Sequence, residues 1–170
     1  MNIANVIPRY RDEINNGLAD IYPDGPLSLT KPIGYVLRGG GKRLRPLLTI
    51  FSAEACGGSK DAVLSAALAV EVLHNFTLVH DDIMDQDELR HGQKTVHRKW
   101  DDSTAILAGD AIFALAFAVL SRIKINPLRC VQALSDATLR LCEGQALDKT
   151  FESRDSVSLD EYLRMGQLKT

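Results

Sequence analysis

"AVLSAALAVEVLHNFTLVHDDIMDQDELRHG", residues 62–92, opens with eighteen residues that are almost entirely apolar and closes on a knot of charge. The first part predicts a buried helix over about residues 60–86, with Ser59 as its N-cap. Five of the eight residues from Asp81 to Glu88 are carboxylates. At about 100° per residue, Asp85 lies roughly 40° from Asp81 and His74 roughly 20° from it, so the three share a face. Asp82 falls to the flank. Like charges one turn apart oppose a helix by about 0.2–0.5 kcal/mol. A C-terminal helix end prefers cations, which worsens the conflict. Two readings stand. The cluster is either a solvated acidic turn or one side of a site for a hard, oxygen-loving ion such as Mg²⁺ or Mn²⁺.

Working outward, the rest of the chain also reads as helices. Val6, Ile14 and Leu18 mark a helix over about 2–19. "YPDGPLSLTKP" is expected to be a turn-rich loop before a short helix at about 31–38. "RGGGKR" breaks the pattern, because three successive glycines disfavour a helix interior. A helix resumes at "LRPLLTIFSAEAC" and stops at Gly57-Gly58. "QDELRHGQKTVHRKW" is expected to be a polar connection. Helices follow at about 103–123, 127–152 and 158–169, the second with Pro127 at its first position and the third with capping-box spacing between Ser158 and Glu161. No alternating β pattern and no repeat is visible, so the class is all-α.

Composition is that of a globular chain: 170 residues, 45% hydrophobic, 25% charged, net charge −2. That balance gives no case for nucleic acid as a partner. The longest uninterrupted apolar run, Ala111–Leu120, is short for a bilayer span, so stable membrane insertion is not expected. Cys56, Cys130 and Cys142 lack metal-ligand spacing and are expected to be buried free thiols in a reducing, cytoplasmic setting. One helical domain over 1–170 is expected. The helical pattern runs to Lys169-Thr170 without a stop signal, which suggests a chain cut within a longer one.

"RGGGKRLRP" sets flexible backbone beside basic side chains, and a helix starting near Arg43 would point free N–H groups at an anion. It is not a P-loop, since the spacing is wrong. Alone it reads sooner as a surface turn with ordinary basic residues. Paired with the acidic cluster, it supplies what a diphosphate requires: carboxylates for a metal and cations for phosphate oxygens. His74 is either a core histidine or a phosphate donor. Gln145 and Asp148, at i,i+3, could face the same cavity.

The stretches "GGGKRLRP", "HNFTLVHDDIMDQDELRHG", "LAGDAI", "EGQALD" and "KT" occur in the order found in the trans-isoprenyl diphosphate synthases, the polyprenyl synthetases, which this chain resembles from about residue 31 onward. The resemblance implies an antiparallel helical bundle of the isoprenoid synthase type, here its N-terminal part. It implies a homodimeric prenyltransferase that condenses isopentenyl diphosphate with an allylic diphosphate, using Mg²⁺. By position it assigns Asp81, Asp82 and Asp85 to the first aspartate-rich motif, holding the metal, and Arg90 to the allylic diphosphate. Lys42, Arg45 and His74 would bind isopentenyl diphosphate. Gln145, Asp148, Lys169 and Thr170 would line the allylic site, with Lys169 counted among the catalytic groups. Phe76 and Thr77 stand where side-chain bulk limits product length, and a Phe there is similar to archaeal-type enzymes making C15 to C20 products.

Two departures matter. His91 stands where the family carries a second arginine supporting the isopentenyl site. The family's second aspartate-rich motif is not within these residues, so the 170 residues alone are expected to be inactive. A non-catalytic diphosphate-binding subunit or fragment is the alternative reading. A terpene cyclase is disfavoured, because it has no second diphosphate for "GGGKRLRP" to bind.

Overall fold

The computed structural model describes residues 3–22 and 24–169, and the order of elements is helical almost throughout. It comprises α1 (Ile3–Ala19), α2 (Leu27–Leu37), α3 (Leu44–Ala55), α4 (Lys60–Met84), a two-stranded antiparallel ribbon of β1 (Leu89–Arg90) and β2 (Gln93–Lys94), α5 (Val96–Lys99), α6 (Asp102–Leu120), α7 (Pro127–Phe151) and α8 (Leu159–Lys169). The all-α expectation holds. The chain divides into two compact units, residues 1–127 and 128–170.

In the first unit α4 is the central helix, packed chiefly against α6 and α3. Its start is set locally: the Ser59 hydroxyl accepts from the Ala62 N–H at 3.3 Å, satisfying one of the N–H groups a helix start leaves without partners. Ala67 and Ala69 of α4, and the small residues Ala105, Ala108 and Ala116 of α6, are fully buried. Val72, Ile112 and Val119 fill the core beside them, and Ile14, Leu18, Ile33 and Ile50 bring α1, α2 and α3 onto it. Each such aliphatic side chain contributes about 1.5–3 kcal/mol on burial. Gly109 leaves room for the His80 ring, which an added Cβ would displace. By length and apolarity alone α4 and α6 are both long enough to cross a membrane, so the ten-residue run does not set that limit. In this unit they pack on one another, and α4 carries Glu71 and Asp82 buried.

Three expectations are corrected. The helix expected at about 31–38 begins at Leu27 and runs through Pro32, so the latter part of the expected loop is helical. Pro26 starts it: its carbonyl accepts from Leu29 and Thr30 N–H, both at 2.9 Å. The polar connection contains a hairpin and a helical turn. Two residues per strand are too few for alternation to be read, but His91 (φ 51°) and Gly92 (φ 77°) are the positive-φ pair that a two-residue type I′ hairpin turn needs. Finally, the cysteines are free, yet Cys56 and Cys142 are exposed and only Cys130 is half-buried.

The second unit holds α8 and nearly all of α7. Its capping box forms as the spacing predicts: Ser158 Oγ accepts from the Glu161 N–H at 3.3 Å, and Glu161 Oε2 accepts from the Ser158 N–H at 3.0 Å. The two helices touch at Gly144, where a Cβ would lie 2.5 Å from the Lys169 backbone nitrogen.

Candidate functional site

The glycine loop owes its shape to Arg43. Gly40 and Gly41 take positive φ (86° and 128°), and Arg43 follows in the left-handed region at φ 52°. That reversal turns the Arg43 side chain inward, where it is 3% exposed. Its guanidinium donates Nε to Asn15 Oδ1, Nη1 to Glu71 Oε1 and Nη2 to the Leu37 carbonyl, each at 2.9 Å. It therefore ties α1, α2 and α4 together behind the loop. Its neighbours Lys42 and Arg45 stay exposed. Sequence reasoning placed Arg43 in one basic group with them and did not single out Glu71. The glycine-induced reversal separates a structural cation from its two solvent-facing neighbours.

Across from the loop a cavity of about 450 Å³ opens. Lys42, Arg45, His74, Asp82, Arg90 and His91, all named from sequence, line it together, with Asn75 and Leu78 from α4 between them. The hairpin brings Arg90 and His91 back onto the end of α4. It is held there by the Tyr35 hydroxyl donating to the Lys94 carbonyl at 2.7 Å and by Thr95 Oγ1 donating to the Asp87 carbonyl at 2.7 Å.

The carboxylates divide. Asp82, placed on the flank by helical geometry, is the buried one, at 4% exposure. Burial raises its pKa, and Arg90 opposes that by donating Nε to Asp82 Oδ1 at 2.5 Å while Nη2 reaches Asp87 Oδ2 at 3.2 Å. Asp81 is half-buried and Asp85, the C-cap of α4, is exposed. They stand one turn apart at a helix end that has no basic residue in its last turn. Such a pair fits a hard divalent ion, because Mg²⁺ needs only one or two protein carboxylates and completes its shell with water and phosphate. Among the described residues no three His, Cys, Asp or Glu groups converge as a closed cage.

The cavity is electropositive. Burial first, then the charges of Arg45, Arg90 and Arg43, lower the His74 pKa to about 4 from 6.5. The native ring thus stays neutral until about pH 4 while the unfolded chain protonates near 6.5. Between those values the unfolded state binds more protons, so stability falls as pH drops from 6.5 toward 4. The full penalty is on the order of 3 kcal/mol at most. His74→Gln is expected to flatten this part of the urea-midpoint profile between pH 7 and pH 4.5; an unchanged slope would contradict the assignment.

Phe76 and Thr77 sit beside the carboxylates on α4. Phe76 packs edge-on to His80 (4.8 Å between centroids) and against Phe113 of α6 (5.1 Å), which continues to Phe117. Thr77 Oγ1 is taken by the His74 carbonyl. In the second unit Asp148 accepts from Lys169 Nζ at 2.5 Å. Gln145 there is buried with neither amide atom hydrogen-bonded among the described residues. Thr170 lies outside the described residues.

Residues of the glycine loop, the aspartate-ended core helix and the arginine hairpin thus line one cavity in an all-helical protein. The chain belongs to the polyprenyl synthetase family, whose model matches residues 26–170. It is 43% identical to the geranylgeranyl diphosphate synthase of Methanosarcina mazei, over all of this chain and 54% of that protein. It is 38% identical to the geranylfarnesyl diphosphate synthase of Natronomonas pharaonis, over 99% of this chain and 55% of that one. The solved geranylgeranyl pyrophosphate synthetase of Geoglobus acetivorans superposes with a TM-score of 0.92 at 44% identity, covering 97% of this chain and 55% of its own. The chain thus spans about half the length of these relatives, and its fold is that of the isoprenoid synthases.

Proposed function

We propose that this chain provides the isopentenyl diphosphate cavity and the first metal-binding carboxylates of a trans-prenyltransferase. The observation that carries this reading is the convergence of Lys42, Arg45 and His74 with Arg90 in one cavity at the aspartate end of α4. Lys42 and Arg45 bind the diphosphate of isopentenyl diphosphate, and His74 donates one ring N–H to it. Arg90 braces Asp82 and presents its remaining N–H groups to the allylic diphosphate. Mg²⁺ (or Mn²⁺), held by Asp81 and Asp85 with Asp82 behind them, supplies charge neutralisation of the leaving diphosphate. The allylic C–O bond ionises, the isopentenyl double bond attacks the cation, and a proton passes to the departing diphosphate as the alkene is regenerated. No protein nucleophile is needed, so the protein's part is positioning and electrostatics. Gln145, Asp148, Lys169 and Thr170 are assigned to the allylic side, and His91 to the edge of the isopentenyl side. The working enzyme is a cytoplasmic homodimer.

The product is proposed to be C15 to C20. Phe76, packed between His80 and Phe113, is the stop for the growing tail. Phe76→Ala in an active enzyme is expected to lengthen the main product by at least one C5 unit, read by chromatography of the dephosphorylated products. An unchanged product would remove Phe76 from this role. The function itself is tested by titrating isopentenyl diphosphate into the chain. Arg45→Ala is expected to weaken binding about ten- to a hundredfold, the cost of a charge-assisted contact; equal affinity would contradict the reading. Because the 170 residues contain one aspartate-rich cluster, they are proposed to bind diphosphates without robust condensation. Sustained product formation from labelled isopentenyl diphosphate would overturn that.

A further inference from the structure

A second cavity, larger at about 720 Å³, opens on the other side of Tyr35, between the end of α1, α2, and the residues that close α5. Three cations line it, Lys31, Arg38 and Lys99, and no Asp or Glu does. Among the described residues none of the three makes an ion pair. Asp20 and Asp24, close in sequence, are exposed and stand outside the lining. Like charges gathered at one wall repel one another, and an anion bound between them would relieve that repulsion.

Two of the three cations, Lys99 and Arg38, have positioning contacts, and Lys31 is exposed on α2. The Lys99 ammonium lies 3.6 Å from the centroid of the Tyr35 ring, a cation–π distance. Tyr35 is itself fixed by its hydroxyl on the Lys94 carbonyl (2.7 Å) and by an edge-on contact with Trp100 (5.4 Å). Arg38 spends one Nη on the Ala19 carbonyl at 3.4 Å, which leaves the rest of its fork for a ligand. Gly34, mid-way along α2, forms part of the wall, and a Cβ added there would meet nothing within 4 Å. Glycine is disfavoured inside a helix, and no packing within this chain calls for it. Its effect is to leave room at the wall.

We propose that this cavity is a second anion site, one that takes a diphosphate group and is separate from the site at Lys42 and Arg45. Three positive charges suit a group carrying two to three negative ones. The lining is mainly polar, so an isoprenoid tail finds little to pack on, and inorganic diphosphate or a compact diphosphate ester such as a nucleoside diphosphate is the matching class. Tyr35, Gly39 and Gln93 line both cavities, whereas Lys31, Arg38, Lys99 and Trp100 line this one alone. The inference stands on this cavity's own residues and does not depend on the prenyltransferase reading.

The test uses the whole chain without Mg²⁺, with inorganic diphosphate and ADP as separate probes. Calorimetry is combined with the fluorescence of Trp100, the single tryptophan, which lines this cavity alone. Inorganic diphosphate is expected to fill two sites. Lys31→Met/Lys99→Met is expected to weaken one of them at least tenfold and to abolish the Trp100 response, while Arg45→Ala affects only the other. ADP binding that is lost in the double lysine variant supports the site and assigns an ester as its ligand. Inorganic diphosphate binding there without ADP supports it and assigns the free ion. A single site per chain removed by Arg45→Ala, or binding unchanged in the double lysine variant, overturns the proposal. A single site in the unmutated chain that is lost in the double lysine variant and unaffected by Arg45→Ala supports this proposal and counts against the isopentenyl diphosphate assignment alone.

Discussion

Arg43→Ala is expected to cost about 3–5 kcal/mol of folding stability, the loss typical when one partner of a buried ion pair is removed. The guanidinium satisfies three groups at once: the Glu71 carboxylate, the Asn15 amide oxygen and the Leu37 carbonyl. Glu71 is 5% exposed, so without Arg43 its charge is left in the interior with no cation beside it. Against a domain stability of about 5–15 kcal/mol, that loss is a large fraction. Arg43→Met/Glu71→Leu removes both charges and is expected to recover most of it, because the cost lies in the uncompensated charge more than in the pair. Urea unfolding of the three proteins checks this. A shift below about 1 kcal/mol in Arg43→Ala would mean that the latch is not holding the glycine loop.

The second large effect concerns the three aspartates, which are expected to behave differently although they sit within five residues. Asp81→Ala and Asp85→Ala remove ligands of the proposed ion. They should abolish the Mg²⁺-dependent part of allylic diphosphate binding and leave the metal-free affinity nearly intact. In a turning-over enzyme each is expected to lower kcat by roughly a thousandfold, equivalent to about 4 kcal/mol. Asp82→Ala acts through Arg90 instead. It frees a guanidinium now held at 2.5 Å by a carboxylate and is expected to change affinity about equally with and without Mg²⁺. Three variants with one shared phenotype would contradict the division of the cluster.

The architecture was largely legible because its signals are local. The apolar run of α4 is continuous in sequence, the Ser59 cap and the Ser158–Glu161 box each involve residues within a turn of one another, and each forms as predicted. The family motifs also led to Lys42, Arg45, His74, Arg90 and His91, which meet in one cavity. What was not legible depends on distant partners. A helical projection treats Asp81, Asp82 and Asp85 alike except for angle. Which of them is buried is decided by Arg90, eight residues on and returned by a hairpin too short to show a strand pattern. Arg43 is indistinguishable from Lys42 and Arg45 by composition. Its inward direction comes from the positive backbone φ that follows Gly40 and Gly41, and its partner Glu71 is 28 residues away. The cation-lined cavity at Lys99 was invisible for the same reason, since Lys31, Arg38 and Lys99 come from separate stretches of the chain.

The central claim is that the aspartate end of α4 is a metal-dependent diphosphate site. It is tested most directly by calorimetric titration of a non-hydrolysable allylic diphosphate analogue into the chain, with and without Mg²⁺. Binding that tightens by about ten- to a hundredfold with Mg²⁺, and loses that gain in Asp81→Ala, is the predicted result. The same affinity in both conditions would contradict it.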